Sequence, residues 1–311
     1  MDDKVDRYKS LLEDVTCNLC GKDKYDIVYP PNYDDAQPDD IEHTFRTSGD
    51  EILVDQLVRC RNCDLQYLTP RLRSDVILRG YSAGTDETWV SQVTARERTF
   101  NRSLERLERI ITPPGRLLDI GTGGGPFLGV AKKRGWEVAG CEPNHWLADW
   151  GSKHYGFDIV PGTVYDMGLD DQSFDMVTLW DVLEHTPDPK GVLKECRRVL
   201  KPGGLLVVNY PDINSLIARL MGRKWVFLLS IHLYYFTIET ITDMMFQAGF
   251  MVRSHNWHWQ SLELGYILYR MKAYLPALAS FGTRAADALG IQHSNIPYWM
   301  GQVLVLADPR P

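Results

Sequence analysis

The chain has 311 residues, 44% of them hydrophobic and 24% charged, with a formal net charge of −7. That length allows one large domain or two modest ones around an ordinary globular core, and the acidic balance argues against a general nucleic-acid footprint, leaving only a local basic face open. The polar start MDDKVDRYKS fits no signal or transit peptide, and the longest compact apolar run, Trp225 to Ile231, is too short to span a bilayer, so a cytoplasmic location is expected.

The first fifteen residues read as a short polar helix. Two CxxC pairs follow, Cys17 and Cys20 in CNLC, then Cys60 and Cys63 in CRNC. In a reducing compartment such knuckles read as a metal site rather than as disulfides. Four thiolates fill a tetrahedral Zn²⁺ shell and leave no position for water, so the expected zinc is structural. The gap between the knuckles is longer than in a compact zinc ribbon. Within it, YPPNYDDAQPDD reads as a loop, and EILVDQLVRC and LQYLTP read as strands beside the second knuckle. Residues 1–70 are therefore expected to form a small zinc-binding module, too short of core to hold together without the metal. Cys141 and Cys196 stand in apolar surroundings and read as core residues.

Residues 71–115 read as a helical connector. Its segment VSQVTARERTFNRSLERLERII has apolar residues at helical spacing and stops before Pro113-Pro114. From Arg116 to the end the pattern becomes strand, turn, helix, repeated. RLLDI, WEVAGCE, IVPG, FDMVTLWD, LLVVNYP and MVRSHNWHW read as six successive strands, and GQVLVLAD closes the chain as another. PFLGVAKKRG, HWLADWGSKHYG, DPKGVLKECRRVLKPGG and TIETITDMMFQAGF read as helices, the last with Thr237 and Thr240 in a capping-box pattern where Thr replaces the usual Glu. Residues 261–290 read as helical. The alternation predicts an α/β fold, a doubly wound and mostly parallel sheet with helices on both faces.

The first of these strands ends in Asp119 and runs into four glycines and a proline, DIGTGGGP. A strand feeding a glycine turn and then a helix is a nucleotide-binding arrangement: bare backbone lets the ligand approach, and the helix N-terminus offers free N–H groups. A phosphate-binding P-loop needs Lys and then Ser or Thr after the glycines, but Pro126 and Phe127 stand there. A dinucleotide loop wants a sixth-position glycine, and Pro126 takes that place too. Gly121, Gly123 and Gly125 instead spell GxGxG, with Asp119 where a pyrophosphate would be repelled.

LLDIGTGGG resembles the first motif of class I S-adenosylmethionine-dependent methyltransferases. The resemblance continues through Glu142 in AGCEPN, through SFDMVTLWDVLEHTPDP and LKPGGLLVVNYP, and through HLYYFTIETITDMMFQAGF. It implies a Rossmann-like, seven-stranded sheet over residues 116–311, with S-adenosyl-L-methionine as cofactor. It implies that Asp119, Gly121, Thr122, Gly123 and Gly125 form the cofactor loop, and that Glu142, followed by Pro143, receives both ribose hydroxyls. Trp180 and Asp181 join the set from the fourth strand. The family often has an aspartate for the adenine amino group where this chain has Thr163, leaving Thr163, Asp166 or a backbone group for that contact.

Methyl transfer from a sulfonium is an in-line displacement, so the protein must align the acceptor, exclude water and often remove a proton. Two histidines are candidate bases: His185 in DVLEHTP and His232 in SIHLYYF. In the family's deoxysugar C-methyltransferases, which also carry a four-cysteine module, a histidine matching His232 is catalytic and an acid precedes it. Here Ile231 replaces that acid, which points away from carbon methylation and toward oxygen, for which a histidine base suffices. Lid insertions are expected at 212–232 and 259–298. The aromatic residues there suit a sugar face or a lipid chain, and LGYILYRMKAYLPALASF is a candidate for peripheral membrane contact. The expected function is methylation of a hydroxyl on a small-molecule acceptor such as a sugar, a glycolipid or a related metabolite. C- or N-methylation of a deoxysugar is the alternative, followed by a nucleic-acid or protein methyltransferase that docks its polymer through the zinc module. No nucleic-acid partner is expected, and the sequence does not set the oligomeric state.

Overall fold

The computed structural model describes residues 2–36, 53–272 and 275–310. The end of the acidic YPPNYDDAQPDD stretch and the first two residues of EILVDQLVRC lie outside them.

Seven strands build the central sheet: β1 (Arg116–Ile120), β2 (Glu137–Glu142), β3 (Val160–Pro161), β4 (Phe174–Trp180), β5 (Leu200–Pro211), β6 (Phe250–Trp257) and β7 (Gln302–Pro309). They pair in the order β6–β7–β5–β4–β1–β2–β3. The pairings among β1 to β5 are parallel, and β7 runs antiparallel to both of its neighbours. This is the doubly wound, mostly parallel sheet that the strand-helix rhythm predicts, with the seven strands that the family resemblance implies. Its residues alternate between two cores. Leu117, Met176, Leu205 and Val207 enter one, and Leu118, Val177, Leu206 and Val208 the other. Such period-two burial on both faces requires helices above and below the sheet. The chain winds outward from β1 to β3 on one side and from β4 to β5 on the other. The crevice beyond the carboxyl ends of β1 and β4 is therefore the topological switch point, where α/β sheets bind ligands.

Local signals account for the elements around that crevice. Gly125, at φ 80°, caps the helix Pro126–Lys133, whose first-turn proline loses no hydrogen bond. The amphipathic helix Val93–Leu107 lays Phe100 against Phe127 and Trp180, with ring centroids 5.4 and 5.2 Å away. The Thr237–Thr240 capping box forms: Thr240 N donates to Thr237 Oγ1 and Thr237 N to Thr240 Oγ1. Residues 261–290 depart from the single helical stretch that the sequence suggests. Gln260–Glu263 is a strand paired with Asn295–Tyr298, followed by the helices Leu264–Met271 and Pro276–Ala288. Glycine and proline punctuate the region weakly, and the period-two run is only four residues long, so its pairing with a distant strand is not legible locally.

The N-terminal segment forms a small antiparallel sheet of Tyr25–Tyr29, Leu57–Cys60 and Gln66–Leu68. Its fourth strand, Tyr234–Tyr235, comes from far along the chain and pairs Tyr234 with Tyr67 and Tyr235 with Gln66.

Candidate active site

Asp119 closes β1. It is buried and accepts a 2.6 Å hydrogen bond from Thr178 Oγ1. Burial is the main reason its carboxyl is pushed up to about 7, with the Glu142 charge adding to it. After it, Gly121, Gly123 and Gly125 all have positive φ, the conformation glycine adopts without strain. A Cβ on Gly123 would stand 2.5 Å from the Trp89 ring, so the indole lies directly on the loop. Trp89 belongs to the short helix Glu87–Ser91, whose N-cap Asp86 accepts from Trp89 N. Arg96, one element further on, stacks its guanidinium 4.7 Å from the Trp89 ring, and its buried Nε has no hydrogen-bond partner among the described residues.

Glu142 closes β2, buried. One carboxylate oxygen accepts from Gly123 N at 2.7 Å and the other from Asn144 N at 2.9 Å, so this acid ties β2 to the glycine loop. Burial raises its carboxyl to about 7 against those two bonds. Pro143 is half-buried beside it. Gly125 faces Ile159 and Tyr155 at the start of its helix. Thr163 and Asp166 bond to each other, Oγ1 donating to Oδ2 at 2.7 Å.

A cavity of about 450 Å³ opens at the switch point. Asp119, Gly121, Thr122 and Gly123 line one end, and Trp180 and Asp181 line the middle. Asp181 is held in the left-handed region, φ 56°, and its carboxylate accepts from Asn209 Nδ2 and from Gln260 Nε2. Burial raises its carboxyl above the ordinary range. At the other end stand Glu184, His185 and His232, which the turn after β4 and the segment before Tyr234 bring together. Burial holds His185 at about 4, and burial with the neighbouring His185 holds His232 well below the ordinary imidazole value. Both rings are thus neutral across physiological pH. Both sequence-nominated bases therefore line one cavity with most of the nominated cofactor loop. Gly125, Glu142, Pro143 and Thr163 lie outside its lining.

Several lining residues escape the sequence reading. Glu184 supplies a carboxylate beside His232 where the sequence shows only Ile231, and its place one residue before His185 was the available signal. Trp89, Arg96 and Thr99 come from the segment read as a connector. Gln260, Tyr266, Arg270 and Tyr298 fall within the lid expected at 259–298, Tyr266 among its aromatic residues, but the hairpin that brings them to the cavity shows only in the tertiary pairing.

The four knuckle cysteines meet in a second cluster, their sulfurs all within 4.8 Å of one another. Cys17 Sγ lies 3.4 Å from Cys63 Sγ, and Cys20 Sγ 3.5 Å from Cys60 Sγ. A tetrahedron with Zn–S bonds of ~2.3 Å has edges of ~3.8 Å, close to these separations. The two knuckles share one geometry. Gly21 N donates to Cys17 O and Asp64 N to Cys60 O, and Gly21 and Asp64, each following a second cysteine, both have positive φ. The residues present fit zinc.

Residues 93–255 match the family model described as a methyltransferase domain. Among curated proteins, the chain is similar to the ubiquinone biosynthesis O-methyltransferase of Coxiella burnetii, 31% identical over 132 residues that cover 40% of this chain and 56% of that one. It is also similar to the protein of that name from Cereibacter sphaeroides, 34% identical over 118 residues that cover 36% and 48%. The chain spans about half the length of the curated relatives it matches. Among solved structures, a SAM-dependent methyltransferase of Thermotoga maritima aligns with a TM-score of 0.47 at 22% identity, covering 72% of this chain and 94% of that one.

Proposed function

The chain belongs to the methyltransferase domain family, and from that premise we propose that it transfers the methyl group of S-adenosylmethionine to a hydroxyl of a small organic acceptor. One observation carries this reading: the glycine loop with Asp119 and the Glu184–His185–His232 group face each other across a single cavity.

Gly121, Gly123 and Trp89 would hold the cofactor, with Glu142 available to its ribose and Asp119 and Arg96 to its aminocarboxylate. Arg96, a half-buried cation whose buried Nε has no hydrogen-bond partner among the described residues, offers a charge-assisted bond to a carboxylate. Bound there, the cofactor would supply an electrophilic methyl group to the cavity that the histidines line. Neutral His232, with His185 beside it, stands where it can take the acceptor's hydroxyl proton as the oxygen attacks in line. The walls of Phe227, Ile231 and Tyr266 exclude water. The printed names of the curated relatives support oxygen as the atom methylated.

The finer acceptor class is a sugar or another ring-bearing metabolite. Trp299 packs against Trp257 and Trp259, ring centroids 5.1 and 6.4 Å away, next in sequence to the cavity-lining Gln260 and Tyr298, an aromatic cluster suited to the face of a ring. The four cysteines hold a structural zinc. The outer side of the lid exposes Leu275, Leu278 and Phe281, an apolar surface through which a lipid-linked acceptor would be met at a membrane face. Among the described residues no helix is long and apolar enough to cross a membrane.

The test is a binding and turnover screen. Calorimetry should show S-adenosylmethionine binding one site per chain, and a panel of hydroxylated acceptors, sugars and phenols among them, should release demethylated cofactor. Failure to bind the cofactor would overturn the reading, and transfer to carbon or nitrogen acceptors alone would overturn its oxygen specificity.

A further inference from the structure

Two buried side chains, Glu184 and His232, and the half-buried His185 meet at the acceptor end of the cavity with a ligand atom of each unspent. Glu184, His185 and His232 each bring one ligand atom within 4.8 Å of the others. Glu184 is 1% exposed, and neither of its carboxylate oxygens has a hydrogen-bond partner among the described residues. His232 Nδ1 is likewise buried and unpartnered. Leaving such groups bare is costly, more so for a carboxylate than for an imidazole. Asp181, a group of the same sign, adds to the effect of burial in raising the Glu184 carboxyl. Asp181 itself is satisfied, its two oxygens taken by Asn209 and Gln260.

The imidazole of His185 is set in the tautomer a metal needs. Its Nδ1 lies 3.0 Å from the Ile231 carbonyl oxygen and 2.8 Å from Tyr81 Oη. A carbonyl only accepts, so Nδ1 carries the hydrogen and Nε2 keeps its lone pair. An outer hydrogen bond of this kind is the usual orienting partner of a metal-bound histidine. Two imidazoles and one carboxylate on one side of a cavity leave the remaining coordination positions open.

We propose that Glu184, His185 and His232 bind one divalent cation, and that the acceptor's hydroxyl oxygen occupies one of its open positions. This rests on the methyl-transfer reading above and replaces direct proton abstraction by His232 with acidification on the cation. The coordinated O–H loses its proton to cavity water. The oxygen's electron pair forms the O–CH₃ bond as the S–CH₃ bond breaks, and that bond's pair returns to sulfur, turning the sulfonium into a neutral thioether.

The test uses the full chain loaded with one zinc per chain, freed of other metals, without acceptor, and titrated with Mn²⁺ while the free-ion paramagnetic resonance signal is followed. One Mn²⁺ per chain should bind beyond the zinc, at least about tenfold more weakly in Glu184→Gln and in His232→Gln. Cofactor binding by the same variants should equal wild type and serves as the folding control. An undiminished free Mn²⁺ signal overturns the cation site, as does equal binding by wild type and both folded variants. In either case methyl transfer that still depends on His232 leaves the direct base standing, so the two readings fail separately.

Discussion

His232 meets His185 edge-on, the ring centroids 4.6 Å apart and the planes at 82°. The two imidazoles, with Glu184 beside them, line the same cavity as the glycine loop. His232→Ala should lower kcat by about 10² to 10⁴ and leave cofactor affinity within about twofold. Steady-state kinetics with a confirmed acceptor, together with calorimetry, check both. Turnover within a few-fold of wild type would remove His232 from the chemistry.

Glu142 acts at the opposite end. Its bonds to Gly123 N and Asn144 N shape the glycine loop before any ligand arrives. Bonds to a charged group contribute roughly 1.5–3 kcal/mol, so Glu142→Gln should weaken cofactor binding about 10- to 100-fold. At saturating cofactor, kcat should change little. Unchanged affinity by calorimetry would mean that neither the ribose nor the loop depends on this carboxylate.

Cofactor affinity should rise with pH. Asp119 and Glu142 ordinarily ionise at 3.8 and 4.5, but burial raises both to about 7 in the folded, ligand-free protein. Between those limits the fold retains protons that an unfolded chain has released. These two groups therefore favour the fold most below pH 4, and that contribution is lost as pH rises through about 7. Ribose hydroxyls and an ammonium prefer the ionised carboxylates, so binding expels protons below about pH 7. Affinity should climb from pH 5.5 and level off near pH 8. Calorimetry at pH 6 in two buffers of different ionisation enthalpy should register that release, and identical heats would contradict it.

Stripping the cysteine cluster should reach the acceptor site. Leu68 N donates to Leu233 O, Leu233 N donates to Glu184 O, and Val54 N donates to Ser230 Oγ. The segment bearing His232 is thus tied on both sides to the module's sheet. Cys17→Ser, or treatment with a strong chelator, should release about one zinc per chain and lower acceptor turnover at least tenfold. Cofactor binding, set by β1, β2 and the glycine loop, should persist. Full turnover without bound zinc would show that the module is dispensable for the site.

The legible parts of this molecule are those whose cause is local. A buried strand, a glycine turn and a proline-started helix lie within a few residues of one another, so DIGTGGGP announces its own geometry. The cysteine knuckles do the same through spacing. What stayed hidden depends on residues far apart. Glu184 stands beside His232, where Ile231 offers no acid, because the turn after β4 folds back onto residues 230–233, and its place before His185 is the one local hint of that. Arg96 reads as an ordinary position of an amphipathic helix and Trp89 as part of the connector, because nothing local shows that Trp89 packs on the glycine loop and Arg96 on Trp89. The strand Gln260–Glu263 reads as helix because its partner lies over thirty residues away.

The pairing of Tyr234–Tyr235 with Gln66 and Tyr67 gives the chain a constraint on its inheritance. The N-terminal module supplies three strands of a four-stranded sheet, and the fourth belongs to the stretch that presents His232. The two cannot be exchanged independently. A chimera that borrows an N-terminal module from another chain inherits a different template for the histidine's approach. Transplanting acceptor preference therefore requires moving both pieces together, although more than 160 residues of sequence lie between their paired strands.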